Sequence, residues 1–202
     1  MIKDFLIINC TGKNDSIALK IDNKFFFKKI QTNLIKNEMI ASDILSFFQE
    51  KEVKINNKFS LIVNSGPGSF SSIRIALAVA KGIKLVKKVN LYSYNYFLLN
   101  AAPYLSKEMR IVSVQKTKNF YYYIEINFKD YFTFTMPEKV NSACLQKKDS
   151  IIVAPIEIIN DEIFNNISQK KIEIAQFKLE NIEILIENNL LENKLIKPVY
   201  LS

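Results

Sequence analysis

The stretch that decides how this chain is read is Gly66-Pro67-Gly68-Ser69-Phe70-Ser71-Ser72-Ile73-Arg74-Ile75-Ala76-Leu77-Ala78-Val79-Ala80-Lys81-Gly82. It follows Phe59–Val63, a continuous apolar run with the length and composition of a buried strand. The Gly-Pro-Gly turn then hands the chain to a helix predicted to run to about Lys88, with Ser71 or Ser72 placed to cap it. The whole protein has 4 Gly, and Gly66, Gly68 and Gly82 all fall in this stretch. In so Gly-poor a chain, that placement implies backbone conformations or close approaches that other residues do not supply.

A strand, a glycine loop and a helix N-terminus present backbone N–H groups suited to an anion. Gly66, Gly68 and Ser69 are therefore the candidate phosphate or anion loop. The same spacing also describes a tight turn that binds nothing, and no Lys-Ser/Thr pair follows as in a P-loop. The helix is apolar around much of its circumference, since Ile73, Ile75, Leu77, Val79, Ile83 and Leu85 point in several directions. Ala76 and Ala80 lie four apart, as do Ala78 and Gly82, giving two stripes of small residues. One side must pack on a sheet. The other needs a second element of the same domain or another subunit.

Upstream, Phe5–Ile8, Ser16–Ile21 and Lys24–Lys28 read as a three-stranded meander, with a turn over Thr11–Asp15 and Asp22-Asn23 splitting the last two strands. Residues 36–52 have helical spacing at Ile40, Ile44, Phe47 and Phe48. Downstream, Val89–Tyr92 reads as a strand and Asn95–Leu105 as a helix. A second unit opens near Met109 with another meander, Arg110–Val114, Phe120–Phe128 and Tyr131–Thr135. Pro137–Ser150 is polar and connective, Ile151–Ala154 is a buried strand, and helical stretches are expected near 160–169 and 179–191. Meander, helix and strand thus recur in weakened form. The expected architecture is α/β: two lobes, residues 1–105 and 106–202, each a mixed sheet with flanking helices.

Composition narrows the chemistry. The 202 residues are 49% hydrophobic and 24% charged, so the chain can bury a core and is not disordered. It has no His, which excludes Ser-His-Asp and Cys-His mechanisms and every His-ligated metal site. Residues 1–101 carry 15 Lys/Arg against 7 Asp/Glu, so the whole net charge of +8 sits in the first half. Only Arg74 and Arg110 are arginine. The Lys-rich first half is either solvated surface or a face toward RNA or an acidic partner. The cluster Lys81, Lys84, Lys87 and Lys88 allows the same two readings, because cations also complement a helix C-terminus. Cys10 and Cys144 make no disulfide framework, and no apolar run approaches the ~18–20 residues of a membrane span. A cytoplasmic protein that does not enter a membrane is expected. Glu38 and Asp43 share a helix but read as a solvated face. Tyr121-Tyr122-Tyr123, with Phe120 and Phe128, reads as strand core or as a surface for stacked bases.

The Gly66–Gly82 stretch resembles the G-P-G-S-F-T-G-L-R-I-G-L-A-x-A-K-G signature of the TsaB (YeaZ) family. Weaker similarity extends to the N-terminal strand–turn–strand, to Leu91-Tyr92-Ser93, to Tyr122, and to the closing Lys197-Pro198-Val199-Tyr200-Leu201-Ser202, which is similar to the family's P-x-Y-L. The resemblance implies a two-lobed actin-like (ASKHA, ribonuclease H-like) fold. It also implies a non-catalytic dimerisation subunit that binds a catalytic TsaD-like paralogue and works with a TsaE-like ATPase. Together these place threonylcarbamoyl on the adenosine beside the anticodon of ANN-decoding tRNAs. The family's helix after the loop is a main element of that dimer, so Ile73, Ala76, Leu77, Ala80, Lys81 and Lys84 are the expected partner-facing residues. No cofactor, metal or catalytic residue is expected of this subunit, and tRNA is expected to be met through the complex. Alternatives from the residues are a diverged actin-like phosphotransferase using the glycine loop, and a homodimer using the same helix.

The chain departs from the family where acids are usual. Relatives carry D-T-S after the first strand, and this chain has Asn9-Cys10-Thr11. The family's D-A-R-x-x-E-V-Y corresponds to Gln115-Lys116-Thr117-Lys118-Asn119-Phe120-Tyr121-Tyr122, and its H-x-E to Lys36-Asn37-Glu38. Each departure removes a group able to hold a metal or activate a nucleophile. A metallopeptidase is set aside on the same grounds.

Overall fold

Strand β1 (Phe5–Asn9) is buried at all of its positions, as a strand flanked on both sides and both faces must be. It pairs antiparallel with β2 (Ser16–Ile21), in the register Phe5 to Lys20 and Asn9 to Ser16. Strand β3 (Lys24–Lys29) follows through a tight turn whose residues Asp22 and Asn23 both have positive φ, 48° and 63°. Helix α1 (Lys36–Glu50) leads to β4 (Ser60–Asn64), and α2 (Phe70–Lys87) leads to β5 (Asn90–Tyr94). Both β4 and β5 run parallel to β1, giving the order β3-β2-β1-β4-β5. One face of this sheet, with Leu6, Ile8, Leu19, Leu61 and Val63, forms a core with Ile44 and Phe47 of α1 and Ile73 and Ala76 of α2.

The second sheet repeats this plan. After α3 (Tyr96–Ala101) and a 3-10 turn at Ala102–Tyr104 come β6 (Arg110–Thr117), β7 (Phe120–Phe128) and β8 (Phe132–Phe134), again an antiparallel meander. The two-residue strand β9 (Glu138–Lys139) pairs with β7, and the short helix α4 (Ser142–Leu145) follows. Strand β10 (Ser150–Ala154) lies parallel to β6, and β11 (Ile172–Ile174) parallel to β10. The order is β11-β10-β6-β7-β8, topologically the mirror listing of the first sheet. Helix α5 (Ile182–Glu187) follows. A meander followed by two parallel strands, built twice, is the ribonuclease H-like plan duplicated in actin-like proteins, and the expected fold class stands.

This computed structural model describes residues 2–11, 15–30, 36–53, 55–117, 120–146, 149–168, 171–193 and 196–201. The expected turn at Thr11–Asp15 lies largely outside them, as do Lys118 and Asn119 and the side chains of Lys36, Asn37 and Glu38. The chain divides into one unit of Met1–Tyr96 with Leu191–Tyr200, and another of Phe97–Leu190. The closing segment joins the first unit by an antiparallel bridge: Ser93 N–H donates to Glu192 O at 2.7 Å, and Glu192 N–H to Ser93 O at 2.9 Å.

Several expected elements change. The helix near 160–169 is reduced, over its described residues, to a 3-10 turn at Glu162–Phe164 and further turns. That near 179–191 shortens to a 3-10 turn at Leu179–Asn181 and α5. Strand β11 (Ile172–Ile174) lies between the two expected helical stretches, where no element was expected. Residues 160–195 are rich in Asn, a weak helix former that bonds local backbone instead. The polar Pro137–Ser150 stretch holds β9 and α4, and Asn141 caps α4 by accepting from Cys144 N–H at 3.0 Å.

Candidate functional site

The glycine loop is built against the end of β1. Gly66 has φ 115°, and a Cβ there would stand 2.9 Å from Val199 O and 3.0 Å from Ile73 Cδ1. A Cβ on Gly68 would come within 2.6 Å of Thr11 Cβ and overlap the Thr11 carbonyl oxygen. The chain's own backbone therefore demands both glycines. Ser69 N–H donates to Thr11 O at 2.6 Å, and Gly66 N–H to Asn64 Oδ1 at 2.9 Å. Tyr96 N–H donates to Gly66 O at 2.8 Å, and Val199 N–H to Ser65 O at 2.7 Å. Two of the three residues expected to cradle an anion thus direct their N–H groups into the protein. The loop ties β1, β4, β5 and the closing segment to the start of α2.

The helix begins at Phe70, with Ser69 in the N-cap position, two or three residues before the expected caps. The Ser69 side chain makes no capping bond; its hydroxyl meets those of Ser72 at 3.1 Å and Ser71 at 3.3 Å. At the other end Lys88 is left-handed (φ 54°), and its N–H closes on Lys84 O at 2.9 Å.

The two small-residue stripes of α2 have different fates. Ile73, Ala76 and Ala80 are 0% exposed and Leu77 3%, all within the core of their own lobe. These four, expected to face a partner, are instead the sheet-facing stripe. Of the expected set, Lys81 and Lys84 alone are exposed. The opposite stripe, Ser71, Arg74, Ala78, Gly82 and Leu85, is exposed, with Ile75, Val79 and Ile83 half-buried at its margin. A Cβ on Gly82 would meet nothing within 4 Å. Beside it stand Leu85 and Val86, 79% and 78% exposed. At the head of the stripe the Phe70 ring stacks on Tyr200 at 4.8 Å, and the Arg74 guanidinium lies 4.8 Å over Phe70. Sequence periodicity identifies both stripes but not which one turns inward, because both are equally small and apolar.

Polar groups collect, buried, at the carboxyl ends of β1, β4 and β5, where open α/β sheets place ligand sites. Asn64 Nδ2 donates to Asn9 Oδ1 at 2.7 Å. Thr11 N–H donates to Asp15 Oδ1 at 2.9 Å, and Thr11 Oγ1 to the Tyr96 hydroxyl at 3.2 Å. Burial pushes the Tyr94 hydroxyl well above its ordinary range. The Tyr96 hydroxyl is raised by burial too, against hydrogen bonds from Thr11 and Asn9. The Asn9–Asn64 pair is neutral, so it supplies neither a general base nor a carboxylate for a cation.

In the second lobe Lys116 and Tyr121, on neighbouring strands, meet Asp161. Lys116 Nζ bonds Asp161 Oδ2 at 2.8 Å, and the Tyr121 hydroxyl donates to the same oxygen at 2.5 Å. The Asp161 hydrogen bond raises Lys116 to about 12, and the Lys116 hydrogen bond lowers Asp161. Tyr122 and Tyr123 are buried, with burial foremost in raising the Tyr123 hydroxyl to about 12. That aromatic run is largely core. Val140, Leu145, Ile163 and Ile167 line a cavity of about 250 Å³, rimmed by amides and Glu162. Among the described residues no three of His, Cys, Asp and Glu gather as metal ligands, and no helix is long and apolar enough to cross a membrane.

No family model matches the chain. The tRNA threonylcarbamoyladenosine biosynthesis protein TsaB of Buchnera aphidicola subsp. Baizongia pistaciae (strain Bp) is 29% identical over 136 residues, covering 63% of this chain and 61% of that protein. YeaZ from Pseudomonas aeruginosa superposes with a TM-score of 0.69 at 12% identity, over 98% of this chain and 100% of that one. The resemblance to TsaB (YeaZ) holds in sequence and in fold. A second structure, a Pseudomonas aeruginosa protein described as similar to peptidase YeaZ, gives 0.68 at 11%, over 99% and 100%. At such identities the two structures establish the TsaB-like fold alone. The chain spans about three-fifths of the Buchnera TsaB it matches.

Proposed function

We propose that this chain is a cytoplasmic, non-catalytic dimerisation subunit for tRNA threonylcarbamoyladenosine synthesis. It binds a catalytic TsaD-like paralogue, and through that pair meets the TsaE-like ATPase and tRNA. The observation that carries the reading is the exposed stripe of α2. Gly82 sits in open space at a mid-helix position, where glycine costs about 1 kcal/mol relative to alanine and nothing in its own lobe requires it. With Ala78 beside it and Leu85 and Val86 exposed, this stripe offers another helix a close backbone approach and an apolar rim. Lys81 and Lys84 flank it and would meet acidic groups on the partner. The name of the Buchnera relative supports the pathway.

The neutral Asn9–Asn64 pair supports a scaffold rather than an enzyme. Occupied Gly66 and Ser69 N–H groups speak against a phosphotransferase that cradles a nucleotide phosphate in the loop.

The test is co-purification of the full chain with the paralogue, comparing wild type with Ala78→Arg and Leu85→Arg. Loss of the heterodimer in both, with unchanged melting temperature, is expected. A heterodimer indifferent to both charges sinks the assignment. If light scattering finds a dimer of the lone chain that the same substitutions break, the face serves self-association instead.

A further inference from the structure

Strand β3 is the edge of the first sheet, and its two faces differ. On the α1 side Lys28 Nζ meets Ser46 at 2.8 Å, Glu50 at 3.4 Å and Asp43 at 3.8 Å, and Lys51 Nζ stands 5.1 Å over the Phe26 ring. The opposite face is fixed by register: Phe5, Ile7 and Asn9 of β1, then Lys20, Ala18 and Ser16 of β2, then Phe25, Phe27 and Lys29 of β3. No strand position on that face holds a carboxylate. Lys20 Nζ lies 5.9 Å from the Phe5 ring centre and 5.7 Å from that of Phe25. The Phe25 and Phe27 rings are near-parallel, 12° apart with centres at 5.9 Å. Phe27 ends this row of ammonium and rings, 51% exposed, and Lys29 is exposed one step further along the same face. Edge lysines guard against strand pairing, which accounts for Lys24 and Lys29 but not for an open aromatic ring between cations.

We propose that the Phe25–Phe27–Lys29 row binds single-stranded RNA, one base stacking on the open face of Phe27 with Lys29 on the adjoining phosphate. Aromatic rings beside an exposed lysine, on a face whose strand positions carry no carboxylate, fit a polyanion that carries flat bases. The choice of RNA as the nucleic acid rests on the tRNA reading above. The lobe that carries the row also carries the chain's whole excess of positive charge.

The experiment is fluorescence anisotropy of the purified full chain with labelled oligouridine, and with an anticodon stem-loop as competitor, across a salt series. Binding that weakens with salt is expected. Phe27→Ala and Phe27→Leu should each weaken it about ten-fold, and Phe27→Tyr should hold it within about two-fold. Lys29→Ala should lower the salt slope by about 0.7. Thermal melting checks each variant's fold, and agreement of the alanine and leucine variants guards against a packing artefact. No binding at low salt, or equal binding by all Phe27 variants, overturns the proposal. So does a wild-type dimer in light scattering that Phe27→Ala dissolves without altering RNA binding, since a second copy would then cover the face. The paralogue is absent from this assay. Its failure to bind the α2 face would remove the scaffold reading and leave the RNA result standing.

Discussion

Asn64 donates its side-chain amide to the Asn9 carboxamide oxygen at 2.7 Å, joining the ends of two parallel strands through a wholly buried, uncharged contact. The resemblance to TsaB implies a carboxylate where Asn9 stands, so Asn9→Asp puts an acid into a site built here for an amide. The new carboxyl is buried, and burial raises its folded pKa above the ~3.9 of an unfolded aspartate. Its stability cost is then absent below pH ~4 and grows as pH rises toward the folded pKa. We expect Asn9→Asp to lose about 1–3 kcal/mol at pH 7 and much less at pH 4. Urea melts at the two pH values check this; equal losses at both would contradict the buried, neutral reading of the site.

Ala80→Arg and Ala78→Arg lie two residues apart and should fail differently. Ala80 is in the core, so an arginine there is overpacked and its charge unpaired, at a cost of several kcal/mol. Ala78 is exposed, and surface substitutions move stability by about 0.5 kcal/mol or less. Calorimetry should find Ala80→Arg unfolded or strongly destabilised and Ala78→Arg near wild type. Only the second informs on partner binding.

The contrast marks what was legible in the sequence. Phe59–Val63, the glycine loop and the helix after it were readable because each carries a local signal: an apolar run, a turn forced on glycine, a 3.6-residue period. The four-residue spacing of Ala76 with Ala80 and of Ala78 with Gly82 was readable too. Which stripe faces the sheet depends on strands that are distant in sequence. The same limit hid the return of Glu192 to Ser93 and the β11 pairing, since Glu173 and Glu192 look like solvated loop until their partners are known. The Lys116–Asp161–Tyr121 cluster joins residues 45 and 40 positions apart, with no spacing that announces it.

Two glycine-to-alanine substitutions separate a glycine that the fold needs from one that it does not. Gly68→Ala places a methyl onto Thr11, and either β1 or the head of α2 must shift. A loss of about 1–3 kcal/mol is expected, as for other overpacked sites. Gly82→Ala finds open space on a helix and should gain about 0.5–1 kcal/mol in the isolated chain. If α2 packs closely against a partner at Gly82, the same methyl weakens the complex. A higher melting temperature together with a weaker heterodimer is the expected signature, read by calorimetry and by titration calorimetry with the paralogue.

Asp161 and Lys116 predict a pH window for the second lobe. The Lys116 and Tyr121 hydrogen bonds lower the Asp161 carboxyl, so its contribution is complete above the unfolded value near 4 and is lost as pH falls through the lower folded one. Lys116 is raised to about 12, so its share of the same contact is complete below its unfolded value near 10.4 and is lost as pH rises through about 12. Because both side chains are solvated, the contact is modest and screened by salt. Asp161→Asn should therefore melt slightly below wild type at low ionic strength across roughly pH 5 to 9. The gap should close toward pH 3 and shrink in high salt. A gap that persists undiminished at pH 3 would assign the effect to packing around the 3-10 turn rather than to the charge.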